Sequence, residues 1–531
     1  MNGVANYRWW KGDDYMPYKN IADLLILNVH RYPEKTAVIY KDIRLSYKDL
    51  NRRINKTAHA LQGLGVGVGD KVGYLLHNSN QLIEVYFAIQ KIGAIAVPLN
   101  YCLITREIRF LVDSSQCKAL IYSEESKHKL DPIKDDFFSV SILISASSLE
   151  EMLETYDTEE PSLFQDEHAL SRIQYTGGTT GISKGVMRSH HNDISEIMSV
   201  MMSSRMGATS DEIVLIQCPM EHHGGHSWFV SVMGSGGTLV ICDSFKPEEI
   251  LTLIEKEHVT YLLLLPPSTH FRLLNFPNFS KYDVSSVRFV QSAAGSTTAE
   301  ITRKIYEAYP NCIMNYGWGQ TESGTGSSLV LTLEMAEKEL PEIKSVGKPM
   351  PFIEMKIIDE HNNEVPVGEV GECVVRGPSV MLGYYNQPKL TAEVFLEDGW
   401  IRTGDMMRKD EEGYFYLMSR KKDMIKSGGE NVFAQEVADV IRKHDKVEEC
   451  IVFGVPNKKL GEAVMTVVQL RSGCTLTLEE LQAHCKSYLS SYKKPLYLAF
   501  IDKFPMNDAG KIPKYMLVKE YREKILNEER L

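Results

Sequence analysis

Tyr175-Thr-Gly-Gly-Thr-Thr-Gly-Ile-Ser-Lys-Gly185 is the stretch on which the fold and chemistry of this 531-residue chain turn. Glycines 177, 178, 181 and 185 free the backbone to aim several N–H groups at one point. Thr176, Thr179 and Thr180 add hydroxyl donors, and Lys184 adds a positive charge. Clustered donors plus one cation around a glycine turn are what a polyphosphate requires. The stretch is not a Walker loop, because Ser183 rather than Gly precedes Lys184, and Gly185 rather than Ser or Thr follows it. A second glycine series, Gly63, Gly65, Gly67 and Gly69, fails the dinucleotide fingerprint, since it leaves a helix instead of opening one.

On both sides of the loop, strands and helices alternate. Ser46 and Asp49 read as a capping box, after which Tyr47, Leu50, Ile54, Ala58 and Leu61 recur at helical spacing as far as Gly63. Val72 to Leu76 reads as a strand, Gln81 to Lys91 as a helix and Ala94 to Pro98 as a strand, an order that produces parallel sheet. The alternation resumes with strands at Ile213 to Ile216, Leu239 to Cys242, Tyr261 to Leu265 and Val287 to Gln291, and helices at Pro247 to Lys256 and Thr298 to Tyr309. From Phe352 to Met418 short alternating strands and glycine turns take over, and beyond Arg420 an α+β pattern returns. The expected fold class is α/β: a large N-terminal domain of parallel α/β sheets, residues 1–421, with a small β-rich subdomain at about 350–421, then a small α+β domain at 422–531.

Asp and Glu total 70 against 59 Lys and Arg, a net charge of −11 that argues against gripping nucleic acid by its phosphates. Residues 422–531 nevertheless carry 18 Lys and Arg against 16 Asp and Glu, a basic piece on an acidic body. Such a pair suits a polyphosphate ligand shared between them. The nine cysteines are scattered without a CxxC pair, which fits a reducing cytoplasm better than a disulfide framework or zinc ribbon. Met1 to Tyr18 lacks the apolar core of a secretory signal, and no apolar run approaches the roughly 20 residues that cross a bilayer. Expected partners are therefore small molecules, with no nucleic acid and no integral membrane segment; a homodimer is left open.

The stretch at 175–185 resembles the Y-T-S-G-T-T-G-x-P-K-G signature of the adenylate-forming superfamily, specifically its acyl- and aryl-CoA synthetases, with Gly177 in place of Ser and Ser183 in place of Pro. Further motifs follow in the family's order over nearly the whole chain. Leu45-Ser-Tyr-Lys-Asp-Leu50 and Lys91-Ile-Gly-Ala-Ile-Ala-Val-Pro98 resemble its early structural motifs. Asn315-Tyr-Gly-Trp-Gly-Gln-Thr-Glu322 resembles Y-G-x-T-E, which implies Trp318 against adenine, Gly319 beside it, Thr321 on the α-phosphate and Glu322 on Mg²⁺. Ser292-Ala-Ala-Gly-Ser296 is similar to the small-residue loop that lines the adenine and acyl sites, implying Ala294 and Gly295. In Trp400-Ile-Arg-Thr-Gly-Asp405 the resemblance assigns Asp405 to the ribose hydroxyls, and in Ser419-Arg420-Lys-Lys-Asp423 it makes Arg420 a second nucleotide contact and Lys422 the hinge of a mobile C-terminal domain. Lys426, Gly428, Gly429 and Glu430 then belong to the loop that shapes the pantetheine tunnel, with Ala434 where the family has Pro. Pro505-Met-Asn-Asp-Ala-Gly-Lys511 matches P-x-x-x-x-G-K, making Lys511 the catalytic lysine of the first step beside Thr321, Glu322 and Lys184.

Pro219-Met-Glu-His-His-Gly-Gly-His226 aligns with the family's P-L-F-H motif and puts His222 and His223 at the acid. Taken alone, His223 and His226 read equally well as partly satisfied loop histidines, and a zinc site with Cys218 is disfavoured by crowding. Amino-acid-activating relatives carry Asp where His223 stands, so the resemblance implies an acid without an α-amino group; Gly224, Gly225, Gly295, Gly319 and Gly324 suggest a roomy acyl cavity. The implied reaction joins a fatty or aryl acid to coenzyme A through an acyl-adenylate, using ATP and Mg²⁺. Loading of a carrier-protein pantetheine, a luciferase-like oxygenase and a non-catalytic nucleotide-binding protein are the alternatives.

Overall fold

In the computed structural model of the protein, the described residues are 19–176, 183–203, 209–293, 295, 297–505, 512 and 514–528. Short aliphatic strands such as Ile213–Ile216, Thr238–Ile241 and Tyr261–Leu263 are buried at nearly every position, as strands covered on both faces must be. They belong to a nine-stranded sheet in which Thr36–Tyr40, Thr238–Ile241, Ile213–Ile216, Tyr261–Leu263, Phe289–Ala293 and Ile313–Gln320 run parallel, with antiparallel strands at both margins. A second, seven-stranded sheet is built around Ile95–Pro98, Lys71–Leu75, Ala119–Tyr122 and Ile142–Ser145, again parallel. The helix Asn80–Lys91 is buried along its length except at Gln81, which marks it as an interior helix. Ser46 accepts the N–H of Asp49 and starts the helix Tyr47–Gly63 where the sequence places it.

Two strands differ from expectation by two residues, the others quoted by at most one. Tyr261 to Leu265 stops pairing at Leu263, because Pro266 and Pro267, which lack the N–H a ladder needs, lead into the helix Pro267–Leu274. The strand expected at Val287 to Gln291 is shifted to Phe289–Ala293, in register with Tyr261–Leu263 on one side and Ile313–Gln320 on the other.

The β-rich region forms a four-stranded antiparallel sheet of Glu354–Ile358, Val370–Arg376, Ile401–Lys409 and Phe415–Arg420. One piece escapes it: Gly383–Tyr384 pairs with Lys184–Ser189 at the edge of the seven-stranded sheet, with Tyr384 opposite Val186. After the single turn Lys421–Asp423, Met424–Ser427, Glu430–Phe433, Val447–Asn457, Gly461–Leu470 and Tyr497–Phe500 make a separate sheet packed by helices. Its apolar clusters draw on residues from Ile425 to Tyr521, whereas the main cluster of the body runs from Ile21 to Phe415. Among the described residues no helix is long and apolar enough to cross a membrane.

Candidate active site

The strands Leu170–Thr176 and Lys184–Ser189, which flank the glycine stretch in the sequence, pair antiparallel with Thr176 opposite Lys184. Gly177, Gly178, Thr179, Thr180 and Gly181 lie outside the described residues, as do Ala294 and Lys511. The Lys184 ammonium sits 5.1 Å from the centre of the Tyr384 ring, and the Tyr384 hydroxyl donates to Oε1 of Glu322 at 3.0 Å. Burial, followed by the charge of Glu322, pushes the Tyr384 phenol well above its usual range and keeps it a proton donor. A cation, an aromatic ring and a carboxylate from three distant segments thus share one spot.

Glu322 fits a magnesium ion that is bound mainly by substrate. Among the described residues no three His, Cys, Asp or Glu side chains converge as a metal cage, and no hydrogen bond is donated to Oε2 of Glu322. A single carboxylate beside phosphate oxygens is how Mg²⁺ is commonly held in nucleotide enzymes.

The residues expected at the nucleotide are brought together across two sheets. Trp318 and Gln320, on Ile313–Gln320, donate from Nε1 and Nε2 to Oδ2 of Asp405 at 2.9 and 2.8 Å. Arg420, opposite Asp405 on the neighbouring strand, places Nε 2.8 Å from Oδ1. Burial raises the pKa of Asp405; Arg420, Trp318 and Gln320 oppose the rise, and Glu322 adds to it. An ionised carboxylate has about four acceptor sites, so three donors leave capacity for a sugar hydroxyl. Trp318 is itself buried, and its ring leaves no room for a side chain at Gly326, whose Cβ would lie 2.5 Å from Cζ3. Gly319 is required by the hairpin, because a Cβ there would meet the Gly324 carbonyl at 2.6 Å. The Tyr316 hydroxyl donates to the carbonyl of Gly295 at 2.5 Å, tying that loop to the same strand.

Behind the hairpin lies a network of buried charge. Arg172 and Arg188 face each other across the paired strands, a like-charge arrangement that is unfavourable unless neutralised. Asp193 neutralises both, receiving Arg172 Nε and Nη2 at 3.0 and 2.9 Å and Arg188 Nε at 2.6 Å. Glu196 takes Nη2 of Arg188 on Oε2 at 2.7 Å. The two arginines hold the Asp193 carboxyl far below the carboxylate range despite its burial, and the Arg188 charge pulls Glu196 in the same direction. Arg188 reaches the site directly: Nη1 donates to the carbonyls of Thr321 at 3.1 Å and Ser379 at 2.9 Å.

His223 belongs to this network. Arg172 Nη2 donates to its Nδ1 at 2.8 Å, and its Nε2 lies 3.2 Å from Oε1 of Glu196. Because a guanidinium only donates, Nδ1 is the acceptor and the ring proton sits on Nε2. Burial lowers the His223 pKa against the pull of Glu196, so the ring is neutral. The loop expected here is helical: His223–Ser235 is a helix whose N-cap is the exposed His222. Gly225 permits this start, because a Cβ there would lie 2.1 Å from the Pro219 carbonyl oxygen. His226 is buried one turn later, with ring centres of Tyr86 and Phe229 at 4.8 and 5.3 Å.

Gly428 and Gly429 form an exposed two-residue hairpin turn in the C-terminal sheet, with Lys426 and Glu430 exposed on the strands beside it and Ser427 pairing with Glu430. Gly428 and Gly429 both have positive φ, 62° and 87°, which only glycine adopts without strain in such a turn. Lys422 lies in the turn between the two sheets; desolvation lowers its pKa, Asp423 opposes this, and the charges of Arg420 and Lys184 add to the lowering.

Sequence reasoning missed Tyr384, Gln320 and the Arg172, Arg188, Asp193 and Glu196 network. A signal existed for the network, since Arg172 and Gln174 alternate with Ile173 and Tyr175, which puts two long polar side chains on one face of the strand. None existed for Tyr384, which reaches the site only by leaving its own subdomain.

Residues 27–385 match the AMP-binding enzyme family, and residues 436–511 match the AMP-binding enzyme C-terminal domain. The chain is 32% identical over 483 residues to a feruloyl-CoA synthase of Amycolatopsis sp, covering 91% of this chain and 95% of that protein. It is 29% identical to a mitochondrial medium-chain acyl-CoA ligase of Mus musculus, covering 97% and 89%. Among solved structures it is similar to a fatty acyl CoA synthetase of Mycobacterium tuberculosis, at TM-score 0.78 and 29% identity over 95% of this chain and 99% of that one. ATP-bound MatB from Rhodopseudomonas palustris is also similar, at TM-score 0.85 and 26% identity over 95% and 99%. With both parts of the chain matched and the motif residues gathered around Glu322 and Asp405, the protein belongs to the AMP-binding enzyme family, among the adenylate-forming acyl-CoA synthetases.

Proposed function

We propose that this chain joins a fatty or aryl acid lacking an α-amino group to coenzyme A, releasing AMP and pyrophosphate. The observation that carries this is the convergence of Lys184, Tyr384 and Glu322 and, separately, of Trp318, Asp405 and Arg420, which we assign to the phosphate and nucleoside ends of one site. A carboxylate cannot be displaced by a thiol at neutral pH, because oxide is too poor a leaving group. Attack of the acid on the α-phosphorus of ATP first supplies a better one. Thr321, Lys184 and the N–H groups of the glycine loop steady the charge that develops on phosphate oxygens, and Lys511 is assigned to the same task. Mg²⁺ held at Glu322 supplies charge neutralisation when bound. The CoA thiol then attacks the acyl carbon and AMP leaves. We assign residues 1–421 and 422–531 as the two domains, and rotation at Lys422 exchanges Lys511 for the Lys426 to Glu430 turn between the steps.

Two features support the acid class. His223, where an amino-acid-activating relative has Asp, has both ring nitrogens facing Arg172 and Glu196, so it presents no charge to an ammonium group. Gly225, Gly319 and Gly324 are explained by close backbone contacts or positive φ, but the nearest heavy atom to a Cβ at Gly224 is Leu265 Cδ1 at 3.9 Å. Space beside Gly224 is thus left for substrate. The nine free thiols support a reducing compartment, the cytoplasm. A panel of fatty and aryl acids, scored for CoA-dependent AMP release, tests the proposal; activity confined to α-amino acids would refute it.

A further inference from the structure

The Lys426 to Glu430 turn has a support outside its own hairpin. Met424–Ser427 meets Gly461–Leu470 through one backbone pair, Ser427 opposite Gly461, and the Gly428 N–H donates to the Leu460 carbonyl at 2.8 Å. Beyond that pair a side chain takes over: the Lys426 N–H donates to Oε2 of Glu462 at 3.1 Å. Oε1 of the same carboxylate accepts from Nη2 of Arg522 at 3.1 Å, and Arg522 Nε donates to the Gly454 carbonyl at 3.0 Å. Arg522 belongs to the helix Lys514–Glu528, which follows the Pro505 to Lys511 motif in the sequence. Glycine at 454 makes the arrangement fit, because a Cβ there would lie 3.0 Å from Cδ of Glu462. The guanidinium fork thus spans a strand carbonyl and a carboxylate, which a single ammonium does not reproduce.

We propose that Glu462 is a positioning residue for the thioester step, with Oε2 fixing the base of the Lys426 to Glu430 turn and Arg522 fixing Glu462. Gly428 and Gly429, which make the turn at positive φ, are the residue type with the most freedom to lose on ordering, so a hold at the base of this turn limits what the glycines can sample. Arg522 donates to Glu462 and to Gly454 and reaches the turn through Glu462. Glu462 is half-buried and Arg522 exposed, so effects of a few-fold are expected rather than orders of magnitude. The inference rests on the assignment of this turn to the thioester step and adds to it what sets the turn's geometry.

Two half-reactions and a double variant separate this role from general support of the C-terminal sheet. Thioester formation from supplied acyl-adenylate at varied coenzyme A, ATP–pyrophosphate exchange and melting temperature would be measured for the wild type, Glu462→Ala, Arg522→Met and the pair combined. Glu462→Ala should lower kcat/KM for coenzyme A about fivefold and leave pyrophosphate exchange within about twofold. Arg522→Met should lower the same kcat/KM about twofold, and the double variant should match Glu462→Ala, because Arg522 acts through Glu462. Equal losses in both half-reactions, an unchanged coenzyme A step, or a double variant that loses the product of the two single effects would each overturn the proposal. Should Glu462→Ala fail to fold, Glu462→Gln, whose one amide oxygen can serve Lys426 but not Arg522 as well, should behave as Arg522→Met does; wild-type kinetics in both would be equally fatal to it. Gly429→Val, strained at a positive φ of 87°, tests the assignment beneath: wild-type thioester formation in that variant would instead refute a part for the turn in this step.

Discussion

Trp318 Nε1 donates to Oδ2 of Asp405 at 2.9 Å, joining residues 87 positions apart in the chain. The bond explains how a carboxylate can be kept at a buried position: its charge is met by an indole, an amide and a guanidinium. Trp318→Phe keeps a flat ring and removes the donor. Losing one hydrogen bond to a buried charge costs about 1–3 kcal/mol, so AMP affinity should fall roughly tenfold while the fold persists. Calorimetric titration of AMP checks this, and an unchanged dissociation constant would deny the bond a part in nucleotide binding.

Tyr384 combines two tasks in one side chain, and they can be taken apart. Tyr384→Phe removes the hydroxyl at 3.0 Å from Glu322 and keeps the ring under Lys184. The Mg²⁺ concentration for half-maximal rate should rise several-fold with little change in ATP KM at saturating Mg²⁺. Tyr384→Leu also removes the ring, worth about 0.5–1 kcal/mol to the ammonium, and should raise the ATP KM as well. Identical profiles for both variants would contradict the division.

Much of the fold was legible because its signals are local. Ser46 caps the helix Tyr47–Gly63, and the strand Ile213–Ile216 lies where its apolar run begins and ends. Strand limits at Leu263 and Phe289 were not, because the partner strands, not the apolar runs, fix where pairing starts and stops. Resemblance to the family's motifs picked out Trp318, Glu322, Asp405 and Arg420 as candidates; in the structure Trp318 and Arg420 meet Asp405 together with Gln320, and Glu322 accepts from Tyr384, two partners to which no motif assigned a role. The sequence offered His223 as a residue expected at the acid and not as a neighbour of buried charges, since Arg172 and Glu196 meet it only when hairpin and helices pack.

Acid sensitivity should be traceable to a buried histidine. The Ile21 N–H donates to Nδ1 of His190 at 3.3 Å, so that ring is neutral, and burial lowers its pKa to about 4 from 6.5. At pH above 6.5 the ring is neutral both folded and unfolded, and its contribution is fully present. As pH falls through the interval from 6.5 to about 4, the unfolded chain takes up the proton first. Stability is then lost at about 1.4 kcal/mol per pH unit. His270, also lowered to about 4 by burial, acts in the same direction. Urea unfolding at several pH values should show this slope, and His190→Asn, which can keep an acceptor for Ile21, should flatten part of it. An equal slope in the variant would refute the assignment.

Lys511 should be needed for one half-reaction only. Lys511→Ala is expected to lower acyl-adenylate formation, read by pyrophosphate exchange, by at least about 10²-fold, the usual cost of losing a preorganised charge donor. Thioester formation from supplied acyl-adenylate should stay within a few-fold of wild type. Equal loss in both would remove the case for exchange of Lys511 with the Lys426 to Glu430 turn.

The most direct measurement is product analysis with ATP, Mg²⁺, a fatty or aryl acid and coenzyme A, run with and without the thiol. AMP and acyl-CoA should appear in equal amounts with coenzyme A, and enzyme-bound acyl-adenylate should accumulate without it. Release of ADP, or AMP formation with no thioester at any acid tested, would contradict an acid–thiol ligase acting through an adenylate.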